Sequence, residues 1–279
     1  MKVSIITIAY NSEDCIGSTI ESVLAQSCMK EAVGGEKGRI ENSRTENCEF
    51  ENVGKGETDN AEIVIEYLII DGASKDGTVA KAESYREALE QKGVEYRVIS
   101  EPDKGIYNAM NKGICLATGD IIGILNSGDW YEAETIETAV KTFAEADCEL
   151  LFGNIRMYKV DGSEFVKRAR QRRFQTSRDW NHPTMFVKSN LYKEYPFREK
   201  GIHDDYGFYL QMRKQGRRIV TVDKVMANFR LGGASNHKSL RAAVKRIKDR
   251  YRYCYRVNGY SRWYLVECVA IEMAKMMLG

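Results

Sequence analysis

The chain has 279 residues, a length that fits one large α/β domain or two small ones. Its 42 lysines and arginines balance 40 aspartates and glutamates, which argues against a dedicated nucleic-acid binder. Seven cysteines without a CxxC pair exclude a disulfide framework and a cysteine-type zinc site, and fit a reducing compartment. No apolar run reaches the ~18–20 residues of a spanning helix, and the N-terminus lacks a signal-peptide pattern, so we expect a cytoplasmic protein.

The first half of the chain alternates apolar runs with segments of helical periodicity. The apolar runs predict buried strands at residues 3–9, 63–70, 96–99 and 121–125. Helical spacing predicts a helix that follows Asn11, and further helices at 78–89, 106–114 and 132–146. Strands that alternate with helices favour parallel βαβ units, which bind ligands at the carboxyl ends of their strands.

The second half is less regular. Short strands are predicted at 150–153, 219–222 and 225–229, and a helix at 208–215. Two further runs, 156–160 and 164–168, flank the turn sequence Asp-Gly-Ser at 161–163 and predict a hairpin.

Two segments differ from the rest in composition. Residues 29–61 hold eight acids and five bases with almost no periodicity, which predicts a polar insertion. We expect residues 30–60 to be dispensable for folding. Residues 238–262 hold nine lysines and arginines and one acid, which predicts a basic helix, and an apolar tail follows at 263–278. Two interpretations stay open for this C-terminal region: it lies on an anionic membrane surface, or its apolar side packs on the core.

Polar clusters follow each of the first four predicted strands, at 7–11, 71–78, 101–108 and 126–130. Turn formation alone could explain one such cluster, but four in succession favour a shared polar ligand. The chain has no GxxxxGK[ST], no GxGxxG after the first strand and no GxSxG. A diphosphate ligand would therefore need another counter-charge, and a divalent metal on Asp129 is the natural candidate.

The sequence around these clusters resembles glycosyltransferase family two, the inverting enzymes with the GT-A fold, and especially its bacterial exopolysaccharide and lipopolysaccharide branch. The matching strings occur in order over residues 1–28 and 62–235: VSIITIAYNS, YLIIDGASKDGT, SEPDKGIYNAMNKGICLATGDIIGILNSGDWY, HPTMFVKSNLY, HDDYGFYLQMRKQG and FRLGGAS. The resemblance implies an α/β fold, with a mostly parallel nucleotide-binding sheet flanked by helices and an irregular acceptor half. It implies a GT-A domain at 1–235, and the basic C-terminal helical extension at 236–279 lies outside the resemblance.

The resemblance also assigns roles on the donor side. Residues that would bind the donor nucleotide are Thr7, Ala9, Tyr10, Asn11, Asp71, Asp103 and Asn126. Asp129 would hold Mg²⁺ or Mn²⁺. Gly72 stands where many relatives have an aspartate, which leaves open which nucleotide is read, with UDP favoured. Gly128 also replaces a common aspartate, which leaves open the contact with the ribose or sugar.

On the acceptor side, Asp205 matches the acid that would serve as the catalytic base, with Asp204 as the alternative. A helix N-terminal acid is the competing interpretation of Asp205. His182 is either catalytic or a buried, hydrogen-bonded histidine. The loop at 232–235 would close near the donor diphosphate.

The function implied by the resemblance is metal-dependent inverting transfer of a sugar. The donor would be a nucleotide-sugar, with UDP favoured, and the acceptor a glycan or lipid-linked glycan of the bacterial surface, without a nucleic-acid partner. A sugar nucleotidyltransferase is one alternative, although such enzymes carry a Gly-rich basic loop where this chain has the sequence YNSE. A non-catalytic nucleotide-sugar-binding protein is another, although Asp129 and Asp205 are both present. The enzyme would be cytoplasmic and could sit peripherally on the inner face of the membrane.

Overall fold

A computed structural model describes residues 1–29, 63–231 and 239–278 of the chain. Nearly all of the polar insertion, and the loop at 232–235, lie outside these described residues. The strands are β1 (Lys2–Ala9), β2 (Val64–Asp71), β3 (Glu95–Ser100), β4 (Ile121–Ile124), β5 (Trp130–Tyr131), β6 (Leu150–Tyr158), β7 (Glu164–Lys167), β8 (Phe186–Lys188) and β9 (Ile219–Arg230). The α-helices are α1 (Glu13–Leu24), α2 (Thr78–Glu83), α3 (Arg86–Gln91), α4 (Ile106–Leu116), α5 (Thr135–Glu145), α6 (Ser189–Glu194), α7 (Asp204–Lys214), α8 (Leu240–Asp249) and α9 (Tyr264–Leu278).

These strands form one mixed sheet in the order β3-β2-β1-β4-β8-β6-β9-β5, with β7 paired to β6. Strands β3, β2, β1 and β4 run parallel, and β8 is antiparallel to both of its neighbours, β4 and β6. In the register of the parallel part, Ala9 pairs with Asp71 and Asp71 with Ser100. The carboxyl ends of β1, β2 and β3 therefore lie at the same edge of the sheet, as predicted for a shared ligand crevice.

The core lies on both faces of this sheet because successive side chains of a strand point to opposite sides. Ile6 and Ile8 of β1 belong to the cluster that also contains buried residues of α4 and α7. Val3 and Ile5 belong to the cluster that contains buried residues of α1 and α5. The continuous apolar sequence of β1 thus reflects a strand covered on both faces.

The predicted strands of the second half are longer than their sequence patterns indicated. The runs 150–153 and 156–160 correspond to the one strand β6, and the runs 219–222 and 225–229 to the one strand β9. These two strands pair in parallel, with a register irregularity next to Asn154. The irregularity absorbs the polar interruption at 223–224, so pairing continues across it. The predicted hairpin is confirmed, because β6 and β7 pair antiparallel around residues 159–163.

The basic C-terminal segment is helical without a break over residues 240–258, as predicted, but the type of helix changes along it. Helix α8 is followed by a π-helical turn at Arg250–Tyr255 and a short 3₁₀ turn, which ends at Gly259 in the left-handed region (φ +70°). Tyr255 and Cys268 are fully buried in the main core cluster. Two of the nine bases are buried as well. The Glu272 carboxylate forms ion pairs with Nε of Arg246 at 2.8 Å and with Nη2 of Arg250 at 3.5 Å.

The last helix has one packed face and one exposed face. Tyr264 stacks on Tyr255 with ring centroids 4.3 Å apart, so it is not free to enter a membrane interface. The opposite face exposes Val266 (61%) and Met276 (54%) to solvent, and Trp263, just before the helix, is 81% exposed. Core packing therefore accounts for one side of α9 only. No helix within the described ranges is long and apolar enough to cross a membrane.

Candidate active site

Asp71 ends β2 at the predicted crevice and is completely buried. Its carboxylate accepts the backbone N–H of Ser74 at 2.9 Å, the hydroxyl of Ser100 at 2.6 Å and the hydroxyl of Ser74. Both carboxylate oxygens are thus engaged by the protein, and they tie the loop after β2 to the end of β3. This arrangement makes Asp71 a brace for the crevice wall.

Asn11 joins the loops that follow β1 and β2. Its side-chain oxygen accepts the backbone N–H of Lys75 at 2.9 Å, and its own N–H donates to the Ser74 hydroxyl at 2.8 Å. Asn11 and Ala73 both have positive φ angles, 46° and 61°. Non-glycine residues rarely adopt this conformation outside positions that the surrounding structure enforces, which are common at ligand sites.

Tyr10, Gly72 and Asp103 meet in the same crevice. A Cβ at position 72 would lie 2.6 Å from Oδ2 of Asp103 and 3.2 Å from the Tyr10 ring. Gly72 therefore allows this close approach, and a larger residue there would require the Asp103 side chain to move. Tyr10 is 62% exposed, so its ring is available to a ligand.

The other two residues predicted at the end of β1 are buried. The Thr7 hydroxyl lies 3.0 Å from the Tyr67 hydroxyl inside the core, and Thr7 has no exposed surface. Ala9 is 1% exposed. The structure therefore does not bring the Thr7 side chain to the crevice, because the strict alternation of β1 turns it inward.

Asp129 follows a tight turn after β4. Gly128 adopts φ +92°, a conformation that favours glycine, and its N–H donates to the Thr19 hydroxyl at 2.9 Å. Asp129 is only 5% exposed, and burial raises the pKa of its carboxyl well above the usual range, with the positive charge of Arg230 opposing the shift. Among the described residues, no hydrogen-bond donor contacts this carboxylate. The side-chain oxygen of Asn126, in the same turn, is also buried without a donor.

These observations fit a site for a divalent cation whose coordination is completed by a bound ligand. Within the described part of the chain, no group of three His, Cys, Asp or Glu side chains could hold a metal alone. Mg²⁺ is commonly bound through one or two carboxylates together with substrate phosphates and water, and Asp129 offers one such carboxylate. A cation there would also compensate the charge that burial penalises.

A second site lies in a cavity of about 370 Å³ in the irregular half, here named the Asp205 cavity. Asp205 stands in the first turn of α7. Its Oδ1 accepts the Tyr107 hydroxyl at 2.9 Å and the Tyr206 N–H at 2.8 Å, and its Oδ2 lies 3.6 Å from Nδ1 of His182. Other lining side chains include Lys167, Arg178, Trp180, His203, Phe229 and Arg250.

His182 is 8% exposed, and neither ring nitrogen has a hydrogen-bond partner among the described residues. Burial lowers the pKa of the imidazole, although the Asp205 carboxylate opposes the shift. The ring is thus a neutral group whose nitrogens are unsatisfied beside the candidate base. A buried, fully hydrogen-bonded histidine does not describe it.

Asp204 is placed differently from its neighbour. Its two oxygens accept the backbone N–H groups of Lys200 at 2.6 Å and Gly201 at 3.1 Å. It is 5% exposed, and burial raises the pKa of its carboxyl against the effect of those hydrogen bonds. Both oxygens hold the loop before α7, so Asp204 is the structural member of the pair.

Strand β9 connects the two sites. Asn228 of β9 pairs with Trp130, the residue after Asp129. The next residue, Phe229, lines the Asp205 cavity. Arg230 lies over the Trp130 ring at 4.8 Å from its centroid. The metal-side turn and the cavity thus share one strand.

Sequence patterns did not single out several residues of these sites. Tyr107 lies inside the polar cluster at 101–108 and Trp180 lies two positions before His182, and only their contacts give them a place in the site. Lys167 and Arg178 lie in a basic stretch without a motif, and Arg250 is one of the nine bases of the predicted basic helix. No local pattern could have revealed that Arg250 is buried, since its partner Glu272 lies on another helix.

The sequence model described as glycosyl transferase family 2 matches residues 58–215, more than half of the chain. The chain belongs to glycosyl transferase family 2. Among curated members, an uncharacterized glycosyltransferase of Mycobacterium tuberculosis is 33% identical over 134 residues, which cover 48% of this chain and 36% of that protein. A teichuronic acid biosynthesis glycosyltransferase of Bacillus subtilis is 26% identical over 165 residues, covering 59% and 51%. The chain thus spans between about a third and a half of these relatives.

Solved structures place this family 2 member among GT-A folds. TarS of S. aureus, solved in complex with UDP, superposes with a TM-score of 0.55 at 18% identity, covering 100% of this chain and 72% of TarS. The mannosyltransferase PcManGT of Pyrobaculum calidifontis, solved with GDP-Man and Mn²⁺, gives a TM-score of 0.60 at 14% identity, covering 99% and 74%. The predicted GT-A class of fold is therefore confirmed.

Proposed function

We propose that the protein transfers a sugar, with inversion, from a nucleotide-sugar to a hydroxyl group of a glycan or lipid-linked acceptor in bacterial surface polysaccharide synthesis. One observation carries the proposal: strand β9 contacts both the turn of Asp129, a buried carboxylate without a hydrogen-bond donor among the described residues, and the cavity built on Asp205. Inverting transfer needs what these two sites would supply, a place for the cation that neutralises the leaving diphosphate and one base for the acceptor. The names of the curated relatives agree with a role in glycan synthesis.

On the donor side, the exposed ring of Tyr10 and the carboxylate of Asp103 face the crevice and would contact the nucleoside. UDP is favoured because structural relatives were solved with UDP and UDP-GlcNAc. Mg²⁺ or Mn²⁺ would be held by Asp129, with Asn126 beside it. When bound, the cation supplies electrostatic stabilisation of the departing diphosphate.

On the acceptor side, Asp205 would remove the proton of the attacking hydroxyl. Tyr107 and the Tyr206 N–H hold its Oδ1, which fixes the orientation of the carboxylate. The Oδ2 atom on the His182 side is left for the acceptor. A single displacement needs no covalent nucleophile, so one oriented carboxylate is sufficient.

A peripheral membrane position is part of the proposal. The exposed face of α9 is apolar, and exposed bases such as Arg241 and Lys248 lie on the neighbouring helix α8. Apolar side chains that enter the interface, together with bases that attract anionic headgroups, are the two contributions that bind a helix to a bilayer surface. Because nucleotide-sugars are cytoplasmic, we place this contact at the inner face.

A thermal-shift screen of nucleotide-sugars, with and without Mg²⁺ or Mn²⁺, tests the proposal. A donor present at 100 times its dissociation constant should stabilise the fold by about 2.7 kcal/mol. We expect UDP-sugars to do so only with the cation. Stabilisation without any transfer or hydrolysis of the bound donor would instead indicate a binding protein, and no response to any nucleotide-sugar would refute the proposal.

A further inference from the structure

A groove lined by arginines lies on the surface beside the Asp205 cavity. It has a volume of about 480 Å³ and is lined by Val166, Arg168, Arg170, Arg172, Phe174, Thr176, Arg178 and Asp179. We name it the arginine groove. The segment that builds it, residues 167–178, contains six bases and no acid, in a chain whose net charge is only +2. The positive charge is therefore concentrated at this place.

The loop that presents these arginines is internally braced. Gln175 is fully buried, and its amide accepts the N–H of Arg172 at 3.0 Å and donates to the carbonyl of Arg170 at 3.1 Å. Thr176 and Asp179 form a reciprocal capping box at the next turn. The arginines therefore project from a fixed backbone. Such preorganisation lowers the entropy cost of binding a ligand, and a loop that only solvates its charges has no use for it.

Most of the positive charge in the groove is not neutralised by the protein. Asp179 pairs with Arg172 at 3.3 Å. The guanidinium groups of Arg168, Arg170 and Arg178 make no ion pair with any carboxylate in the described ranges. Guanidinium groups are suited to bind carboxylates and phosphates through paired hydrogen bonds, so these three are available to an anionic ligand.

The groove adjoins the Asp205 cavity at Arg178, which lines both, while Lys167 lines the cavity and its neighbour Arg168 lines the groove. Inside the cavity, the Lys167 ammonium donates to the carbonyls of Ser177 at 3.1 Å and Trp180 at 2.7 Å, and burial lowers its pKa to about 8. The Nε and Nη1 atoms of Arg250, a side chain that is 3% exposed, have no acceptor among the described residues. Buried donors without acceptors are rare, and they indicate a missing partner.

We propose that the acceptor is an acidic glycan, whose chain runs from the Asp205 cavity along the arginine groove and places its carboxylate or phosphate groups on the free arginines. This inference rests on the proposed transferase function and names its acceptor class. A polymer fits better than a lipid surface because the groove adjoins, at Arg178, the cavity that holds the candidate base. The side chain of Phe174, 72% exposed at the groove, offers an apolar platform for a sugar ring.

The test measures binding of defined oligomers to the whole protein without donor. The probes are oligogalacturonate for carboxylates, oligo(glycerol phosphate) for phosphates and a maltooligosaccharide of equal length as the neutral control. We expect one or both acidic oligomers to bind, with an affinity that falls as salt is raised, and the neutral oligomer to bind at least tenfold more weakly. The stronger of the two acidic probes identifies the anionic group.

Matched double variants show where the oligomer binds. Arg168→Gln/Arg170→Gln should weaken acidic-oligomer binding at least tenfold. Lys141→Gln/Arg218→Gln removes the same charge from side chains that are 71% and 55% exposed on another part of the surface, and should leave binding unchanged. Equal weakening in both variants, or equal affinity for neutral and acidic oligomers, would overturn the inference.

Two further measurements separate the possible failures. The thermal shift of wild-type protein with UDP and Mn²⁺ reports the donor site alone, so its absence would count against the proposed function itself. Its presence, together with acidic oligomers that fail to bind, would overturn the acceptor class only. Single-stranded DNA and phosphatidylglycerol vesicles are tested in the same way. If either binds at least as tightly as the acidic oligomers, and loses binding in the groove variant, the acidic-glycan inference is overturned in favour of that partner.

Discussion

The hydroxyl of Tyr107 donates a hydrogen bond to Oδ1 of Asp205 at 2.9 Å, across 98 positions of the sequence. Burial and the adjacent Asp205 charge raise the pKa of the phenol well above its ordinary value, so the hydroxyl remains a donor throughout the working pH range. Tyr107 is thus a positioning residue, because it orients the carboxylate that would take the acceptor proton.

Tyr107→Phe should lower kcat by roughly tenfold and leave the KM for the donor unchanged, since it removes one hydrogen bond to a charged group. Tyr192→Phe is the matched control, because the Tyr192 hydroxyl is equally buried and has no partner among the described residues. Steady-state kinetics of both variants would measure the difference. A control that loses as much activity as Tyr107→Phe would show a general packing effect.

The two acids at the start of α7 should respond differently to the same change. Asp205→Asn keeps the shape and removes the basicity, so turnover should fall by at least ~10² while UDP binding is retained. Asp204→Asn should mainly destabilise the loop, by about 1–2 kcal/mol, because a carboxylate holding two N–H groups is lost. Denaturation and turnover assays on both proteins would measure this. The reverse order of effects would make Asp204 the base, and if neither variant lost turnover, His182 would be tested next.

Asp129→Asn should stabilise the cation-free protein at pH 7. The folded-state pKa of Asp129 lies above its ordinary value of 3.8, so the wild type loses stability as pH rises through that interval. The variant lacks this loss because its side chain is neutral. It should also lose the stabilisation that UDP and Mn²⁺ give together to the wild type. Thermal melts between pH 4 and 8 test both effects, and cation-dependent UDP binding by the variant would remove Asp129 as the ligand.

His182 predicts a second pH dependence of opposite sign. Burial holds its folded-state pKa below the ordinary value of 6.5, so the unfolded chain takes up a proton first and stability falls as pH drops below 6.5. The contribution is at most about 1.4 kcal/mol per pH unit. His182→Gln should flatten the stability profile between pH 5 and 6.5. An unchanged profile would mean that the imidazole is not held neutral.

Val266→Glu should abolish co-sedimentation with anionic vesicles, because it places a charge on the exposed apolar face of α9. Val160→Glu is the matched control, since Val160 is 89% exposed in the β6–β7 hairpin. Binding to anionic but not neutral vesicles, lost at high salt, is expected for the wild type. Failure of the wild type to bind either vesicle type would leave the exposed face of α9 without a membrane role.

The parallel half of the sheet and the position of its ligand edge follow from the hydrophobic pattern of the chain. Strands β1, β2 and β4 are buried on both faces, so their apolar runs are unambiguous, and polar residues follow directly where each strand leaves the core. The pair Asp204 and Asp205 was also located by sequence. Their division of roles required the structure, since adjacent residues on a helix face different neighbours.

Tertiary structure alone decided the features that depend on distant partners. Three examples each depend on segments that no local pattern relates. They are the contact between Tyr107 and Asp205, the contact of Thr7 with Tyr67 inside the core, and the burial of Arg250 against Glu272. Helix α9 shows the same limit, because its sequence is apolar nearly all around and only packing reveals which face stays exposed. Periodicity records how a segment alternates between core and solvent, whereas the choice of partners is made by the packing of the whole chain.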